Sequence, residues 1–272
     1  MGVKFMTELL DEMLEGAKID VNLGEITKKG RYGLTRYDIE IDQSMSKKLK
    51  KAVGKYTTIN CSRIFSCLRS VQEYVAKQLA VALQDYTRED IVAKKVLVVG
   101  LGNGGMVADS LGVATGHKLL VTGDMQDVEE LGNLYYIEPK VKGVTGVASF
   151  DVIMGVVNAI DPDVVIVIDT LCAKDVNRLC CSFQISDAGI MPGGGVGNMT
   201  KVLNNKTLKR KVIAIGVPLI VRGRTLSDNV DIAMRDFTVK EIDFYITACA
   251  NVIAEGINRV VHGKNYKKYM LN

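Results

Sequence analysis

The sequence predicts an α/β protein, a three-layer sandwich around a mostly parallel central sheet. Three observations carry that reading. The runs Val96-Leu-Val-Val99 and Val164-Val-Ile-Val-Ile168 have no polar face, as expected of strands buried on both sides. A third run, Lys211-Val-Ile-Ala-Ile-Gly-Val-Pro218, is nearly as apolar. Stretches with helical spacing separate the three runs, which is the alternation of a parallel sheet covered on both faces.

Composition bounds the rest. With 272 residues and 47% apolar residues the chain can bury a full core. The net charge of +4 is mild and gives no reason to expect direct nucleic-acid binding. No apolar run nears the ~20 residues that span a bilayer, and the start carries no secretory leader. The six cysteines form no CxxC pair, and free thiols in a reducing cytoplasm are expected. No Pro-rich linker divides the chain. We expect residues 1–30 to form a helical appendage or propeptide and residues 31–272 to form a single domain.

The elements follow in order. Residues 5–16 place Phe5, Met6, Leu9, Leu10, Met13 and Leu14 at helical spacing. Residues 32–41 read as a strand and 45–53 as a short basic helix capped by Ser44. Residues 55–61 read as a second strand. Val71, Val75, Leu79 and Leu83 mark one face of a long helix over 64–86. The strand at 96–99 leads through a glycine-rich turn into a helix over 107–118, with His117 near its end. A strand at 119–122 and a loop to 145 are expected next, then a helix over 150–160 that stops at Asp161-Pro162. After the second buried strand come a short helix at 174–179, a strand at 182–186 and a glycine-rich loop at 187–198. The chain closes with the strand at 211–218 and helices over 228–235 and 239–261.

The chemistry gathers at the carboxyl edge of this sheet, where open α/β folds keep their sites. The stretch Val99-Gly-Leu-Gly-Asn-Gly-Gly105 is the first candidate. It resembles a dinucleotide fingerprint, with Asp124 as the ribose acid, but its third glycine comes early. No Walker lysine follows, which excludes a P-loop. The second candidate is the pair Asp109 and Asp169, each following a buried strand. Two close carboxyls cannot both ionise cheaply. One would activate water and the other would protonate a leaving amine. The same pair could instead grip a metal, yet His117 and His262 are the only histidines available to complete a zinc site. Each acid alone could equally be a turn cap.

Seven segments in order resemble the bacterial germination proteases. They are Val99-Gly-Leu-Gly-Asn103, Asp109-Ser-Leu-Gly112, Gly143-Val-Thr-Gly146, Pro162-Asp-Val-Val-Ile-Val-Ile-Asp-Thr-Leu171, Gln184-Ile-Ser-Asp-Ala-Gly189, Pro192-Gly-Gly-Gly-Val-Gly-Asn198 and Ile215-Gly-Val-Pro218. The resemblance implies a phosphorylase/hydrolase-like fold similar to hydrogenase-maturation endopeptidases. It implies an endopeptidase that degrades small acid-soluble spore proteins at germination, by an atypical aspartic mechanism without metal or cofactor. It also implies a cytoplasmic homotetramer of the spore core, made as a zymogen. The catalytic aspartates of the family fall on Asp109 and Asp169. Substrate-binding or turn residues fall on Gly102, Asn103, Thr145, Gly146, Asp187, Gly195 and Asn198. The chain departs from the pattern in three places. The family's insert before the last helix is missing, Lys18-Ile-Asp-Val-Asn22 only echoes the propeptide motif, and Leu219-Ile-Val-Arg-Gly-Arg224 replaces a valine-rich run. Arginines there would attract acidic substrate.

Overall fold

A computed structural model describes residues 28–49, 51–87, 94–123, 125, 130–192, 201–263 and 265–270. The expected N-terminal helix and the glycine loop at 193–198 lie outside these residues, as does Asp124.

Four strands form the parallel half of the sheet. They are β4 (Lys95–Gly100), β5 (Asn133–Ile137), β6 (Val164–Ala173) and β8 (Lys211–Arg222), side by side in the order β5-β4-β6-β8. Val96 to Val99 and Val165 to Ile168 are at most 1% exposed, as strands covered on both faces must be. Beyond β8 the sheet turns antiparallel through β7 (Ser182–Ser186), β3 (Gly54–Asn60), β2 (Thr35–Ile41) and the two-residue β1 (Lys28–Lys29). A short β9 (Asp236–Phe237) pairs with the far end of β8. The sheet is therefore mixed, and the parallel part of the mostly parallel sheet expected from the sequence is its β5-to-β8 half. Lys28 and Lys29, counted with the appendage, pair with Arg36 and Thr35 in the sheet.

Helices cover both faces, which completes the expected three layers. On one face lie α2 (Arg69–Thr87), α3 (Leu111–Gly116) and α5 (Ile242–His262). The stripe Val71, Val75, Leu79, Leu83 packs into the same core as Val252, Ile253 and Ile257 of α5. On the other face α4 (Ser149–Ile160) brings Ile153 and Val157 onto Leu97, Val99, Val165 and Val167. There, too, α1 (Gln43–Leu49) covers Ile41 and Tyr56.

Several elements differ from expectation. Residues 119–122 form no strand. Thr122 and Gly123 instead donate to the Leu134 carbonyl, and the aromatic run Asn133–Ile137 takes the edge position beside β4. The helix expected over 107–118 breaks into a 3-10 turn, Val107–Asp109, followed by α3. The long helix begins at Arg69 because a separate 3-10 turn, Ser62–Ser66, precedes it. The helix at 174–179 shrinks to a 3-10 turn capped by Asp175, and that at 228–235 to one turn capped by Asn229. Pro218, which cannot donate to a ladder, pairs with Leu171, and the register between β6 and β8 shifts just after.

The chain after α3 is tied down by α5. Asn258, 1% exposed, accepts from Leu120 N at 3.0 Å and donates to Lys118 O at 3.3 Å. His262 Nε2 sits 2.8 Å from Leu120 O. Truncating Asn258 strands one donor and one acceptor inside the protein. Asn258→Ala should therefore lower stability by about 2 kcal/mol. Urea unfolding measures this, and a loss under about 0.5 kcal/mol would mean water replaces the side chain freely.

Candidate active site

The site begins where β4 stops. Leu101 N bonds Ile168 O at 2.9 Å, and the chain then turns away. Gly102 has φ +107°, and a side chain there would meet Asp109 O at 2.0 Å. Glycine is required both for the backbone angle and for the close approach. The loop closes on itself: Asn103 N donates to Asp109 O at 3.0 Å, and Asn103 Oδ1 accepts from Gly105 N at 3.0 Å. The 3-10 turn Val107–Asp109 then presents Asp109. Gly112 backs the turn, since a Cβ at that position would lie 2.4 Å from Leu101 O.

Asp169 lies one residue beyond the level at which β4 ends, because Gly100 pairs with Ile168. It is half-buried, and its Oδ1 accepts from Thr170 N at 2.9 Å. Burial, followed by the charge of Asp109, pushes the Asp169 carboxyl up to about 8, against the pull of the Thr170 N–H. Asp109 is raised as well, by burial, with the Asn103 N–H pulling the other way. At neutral pH the Asp169 carboxyl thus keeps its proton, with the charge of Asp109 contributing to that.

The other expected site residues fall into three groups. Gly102 and Asn103 build the turn that carries Asp109. Thr145 and Gly146 lie after β5 at the same carboxyl edge, in the helical turn Lys142–Thr145 and its left-handed cap, Gly146 at φ +76°. Thr145 Oγ1 bonds Val147, and no hydrogen bond links it to either aspartate. Asp187 clamps strands: its Oδ1 accepts from Lys55 N at 2.7 Å, joining the end of β7 to the start of β3. Gly195 and Asn198 lie outside the described residues.

Two residues near Asp169 escaped sequence reasoning. Thr170 supplies the donor to Asp169, and its own hydroxyl is buried without a partner. Gln184 stands in the same cross-strand row as Asp169, through Gly216, and its buried Oε1 is also unpaired. A glutamine among buried apolar neighbours in residues 182–186 was the available signal.

Competing chemistries find little support. Burial pushes the Cys180 thiol up to about 12 and Cys181 to about 11, so neither is a ready nucleophile. Burial lowers the pKa of His262. Among the described residues no group of three or more His, Cys, Asp or Glu could hold a metal ion. A cavity of about 440 Å³ opens between α2 and α5, lined by Arg69, Glu73, Asn251 and Glu255, and neither aspartate reaches it.

Fold and site together define an α/β protein whose two interacting aspartates meet at the carboxyl end of a parallel sheet. The sequence profile of the germination proteases, peptidase family A25, matches residues 11–239, and the chain belongs to that family. It is 39% identical over 208 residues to the germination protease of Oceanobacillus iheyensis, covering 73% of this chain and 57% of that protein. It is 37% identical over 226 residues to that of Bacillus cytotoxicus, covering 78% of this chain and 60% of that protein. The chain thus spans about 60% of the length of these relatives. Among solved structures, a [NiFe] hydrogenase maturation protease from Thermococcus kodakarensis aligns with 65% of this chain and 98% of its own, at 16% identity and a TM-score of 0.40.

Two predictions test the assignments of Asp169 and Asp187. An ordinary aspartate, with a pKa of 3.8, is ionised in the unfolded chain above about pH 4, whereas folded Asp169 keeps its proton to about 8. Folding therefore takes up a proton in that window, and stability falls as pH rises through it. Asp169→Asn should flatten the fall, so that its thermal midpoint at pH 8 exceeds that of the parent chain. Equal pH dependence in both would contradict the raised pKa. Asp187→Ala should cost about 1–3 kcal/mol in urea unfolding by stranding Lys55 N, and an unchanged midpoint would show that the clamp is dispensable.

Proposed function

We propose that this chain is an endopeptidase that starts the breakdown of small acid-soluble spore proteins during germination, with Asp109 and Asp169 as its catalytic pair. The observation that carries the reading is the inequality between two carboxyls that feel each other's charge. Asp169 is pushed to about 8 by burial and then by the charge of Asp109, while half-buried Asp109 is raised by burial against the pull of the Asn103 N–H. One base and one acid are then available together near neutral pH.

The roles follow from the protons. Asp109 takes a proton from water as the water oxygen bonds to the scissile carbonyl carbon. Asp169 gives its proton to the leaving nitrogen as the carbon–nitrogen bond breaks. The products are a carboxylic acid and an amine, and the pair again holds one proton. No metal or cofactor enters these steps.

Other parts of the reading rest on family membership and on charge. The chain carries a net +4, with Arg224 exposed beyond the end of β8, which would favour acidic segments of a substrate. A homotetramer in the cytoplasm of the spore core, made as a zymogen, completes the proposal. Among the described residues no helix is long and apolar enough to cross a membrane.

Incubation with a recombinant small acid-soluble spore protein, read by mass spectrometry, tests the reading. Asp109→Asn and Asp169→Asn should each lose about 10²–10⁴-fold in kcat/KM with the fold intact. The parent chain should lose kcat/KM above about pH 8, as Asp169 gives up its proton. Full activity in both variants would exclude the pair.

A further inference from the structure

β6 outruns the strand beside it. β4 stops at Gly100, level with Ile168, whereas on the other side β6 stays paired with β8 as far as Ala173. From Asp169 onward, the edge of β6 that faces away from β8 is covered by no described strand. Along a strand the backbone N–H and C=O of one residue point to one side, and those of the next residue to the other. Ile168 aims its carbonyl at Leu101, on the β4 side. Asp169 therefore aims its backbone at β8, and Thr170 aims its own into the track that β4 has vacated. The Thr170 N–H is taken there by Asp169 Oδ1, 2.9 Å away. Its carbonyl oxygen is left facing the gap, and no described group outside the ladder bonds it.

Gly102 makes the gap. By turning the chain off the β4 axis it moves the loop aside and returns Asp109 to the mouth. Asp169 and Thr170 are both half-buried, so this stretch of edge is neither sealed in the core nor freely hydrated. A backbone acceptor in that position calls for a donor.

We infer that the substrate docks here as an extended strand that continues the track of β4 and donates one backbone N–H to the Thr170 carbonyl. Strand addition of this kind draws on main-chain groups, whose spacing along an extended peptide matches a sheet edge. It lays the peptide backbone alongside Asp169, with Asp109 above the vacated track. The register shift between Leu171 and Cys172 bends the edge immediately afterwards, so the usable edge is short and the pairing is confined to the vicinity of the cut bond. The inference rests on the peptidase reading and adds to it the way the substrate is held.

Peptides tiling a small acid-soluble spore protein supply the probe. In the peptide that is cut, each backbone nitrogen is methylated in turn. One methyl beside the scissile bond should lower kcat/KM about tenfold or more by stranding the Thr170 carbonyl. The methyls on the two neighbouring residues, whose N–H groups point away, should be tolerated. Uniform tolerance outside the scissile amide, with the unmethylated peptide still cut, overturns strand docking and leaves the peptidase reading standing. If no peptide is cut, the peptidase reading fails. Fluorescence anisotropy with the Asp109→Asn chain then reads docking alone: the same single-position loss of affinity sustains it, and equal binding by all peptides, or binding by none, overturns it.

Discussion

A carboxyl group keeps its proton at neutral pH where the solvent is poor or a like charge is near, and this fold supplies both at one point. Asp169 sits inside a strand whose preceding residues are sealed on both faces. Its like-charged neighbour is delivered from the adjacent strand by a turn that only glycine permits at position 102. The ladder holds β4 beside β6, and the turn from β4 to Asp109 is braced by its own bonds, Asn103 N to Asp109 O and Gly105 N to Asn103 Oδ1. Each of the two raised carboxyls opposes folding wherever it is forced to ionise. The apolar layers around β4, β6 and β8 have to offset that cost, and they are packed accordingly, with Val96 to Val99 and Ile213 to Ile215 at 0% exposure.

The sheet changes character at the same place. On the β4 side of β6 every neighbour is parallel, and loops leave from one carboxyl edge. Beyond β8 the strands run antiparallel, and the row level with Asp169 continues through Gly216 and Gln184 to Thr58. Gln184 donates to Thr58 at 3.4 Å, and its other amide atom stays unpaired. Ser182 and Asn60, paired across strands two rows along, also hold unpaired buried oxygens. Unpaired buried polar atoms cost about 1–3 kcal/mol each, so a stripe of them in the rows leading from Asp169 is a local exception to an otherwise apolar interior.

The features legible in the sequence were those with a strong local signal. Continuous apolar runs marked β4, β6 and β8, and the acid after each of the first two marked Asp109 and Asp169. Less legible was anything decided by pairing between distant segments. Residues 119–122 have strand composition, yet Thr122 and Gly123 spend their N–H groups on the Leu134 carbonyl, and the aromatic run at 133–137 wins the edge. Whether β7 runs with or against β8 is settled by pairing across the long stretch 187–210, which carries no periodicity. Asp187 shows the same limit at a single residue. It looked like a loop acid beside a glycine stretch, and its partner, Lys55 N, lies 132 residues away in sequence.

Position in the sheet also explains why two residues of the same type end up unequal. Asp169 is a member of a strand, and the ladder to β8 consumes its own backbone groups. Among the described residues the one donor its carboxyl receives is the Thr170 N–H, and the Asp109 charge raises it further. Asp109 stands on a 3-10 turn among exposed neighbours such as Met106 and Val107, where water can share its charge. Exchanging their roles would require moving the strand end, not changing a side chain. The proposed assignment of base and acid is therefore a consequence of where β4 stops, and so is the open edge of β6 beside them.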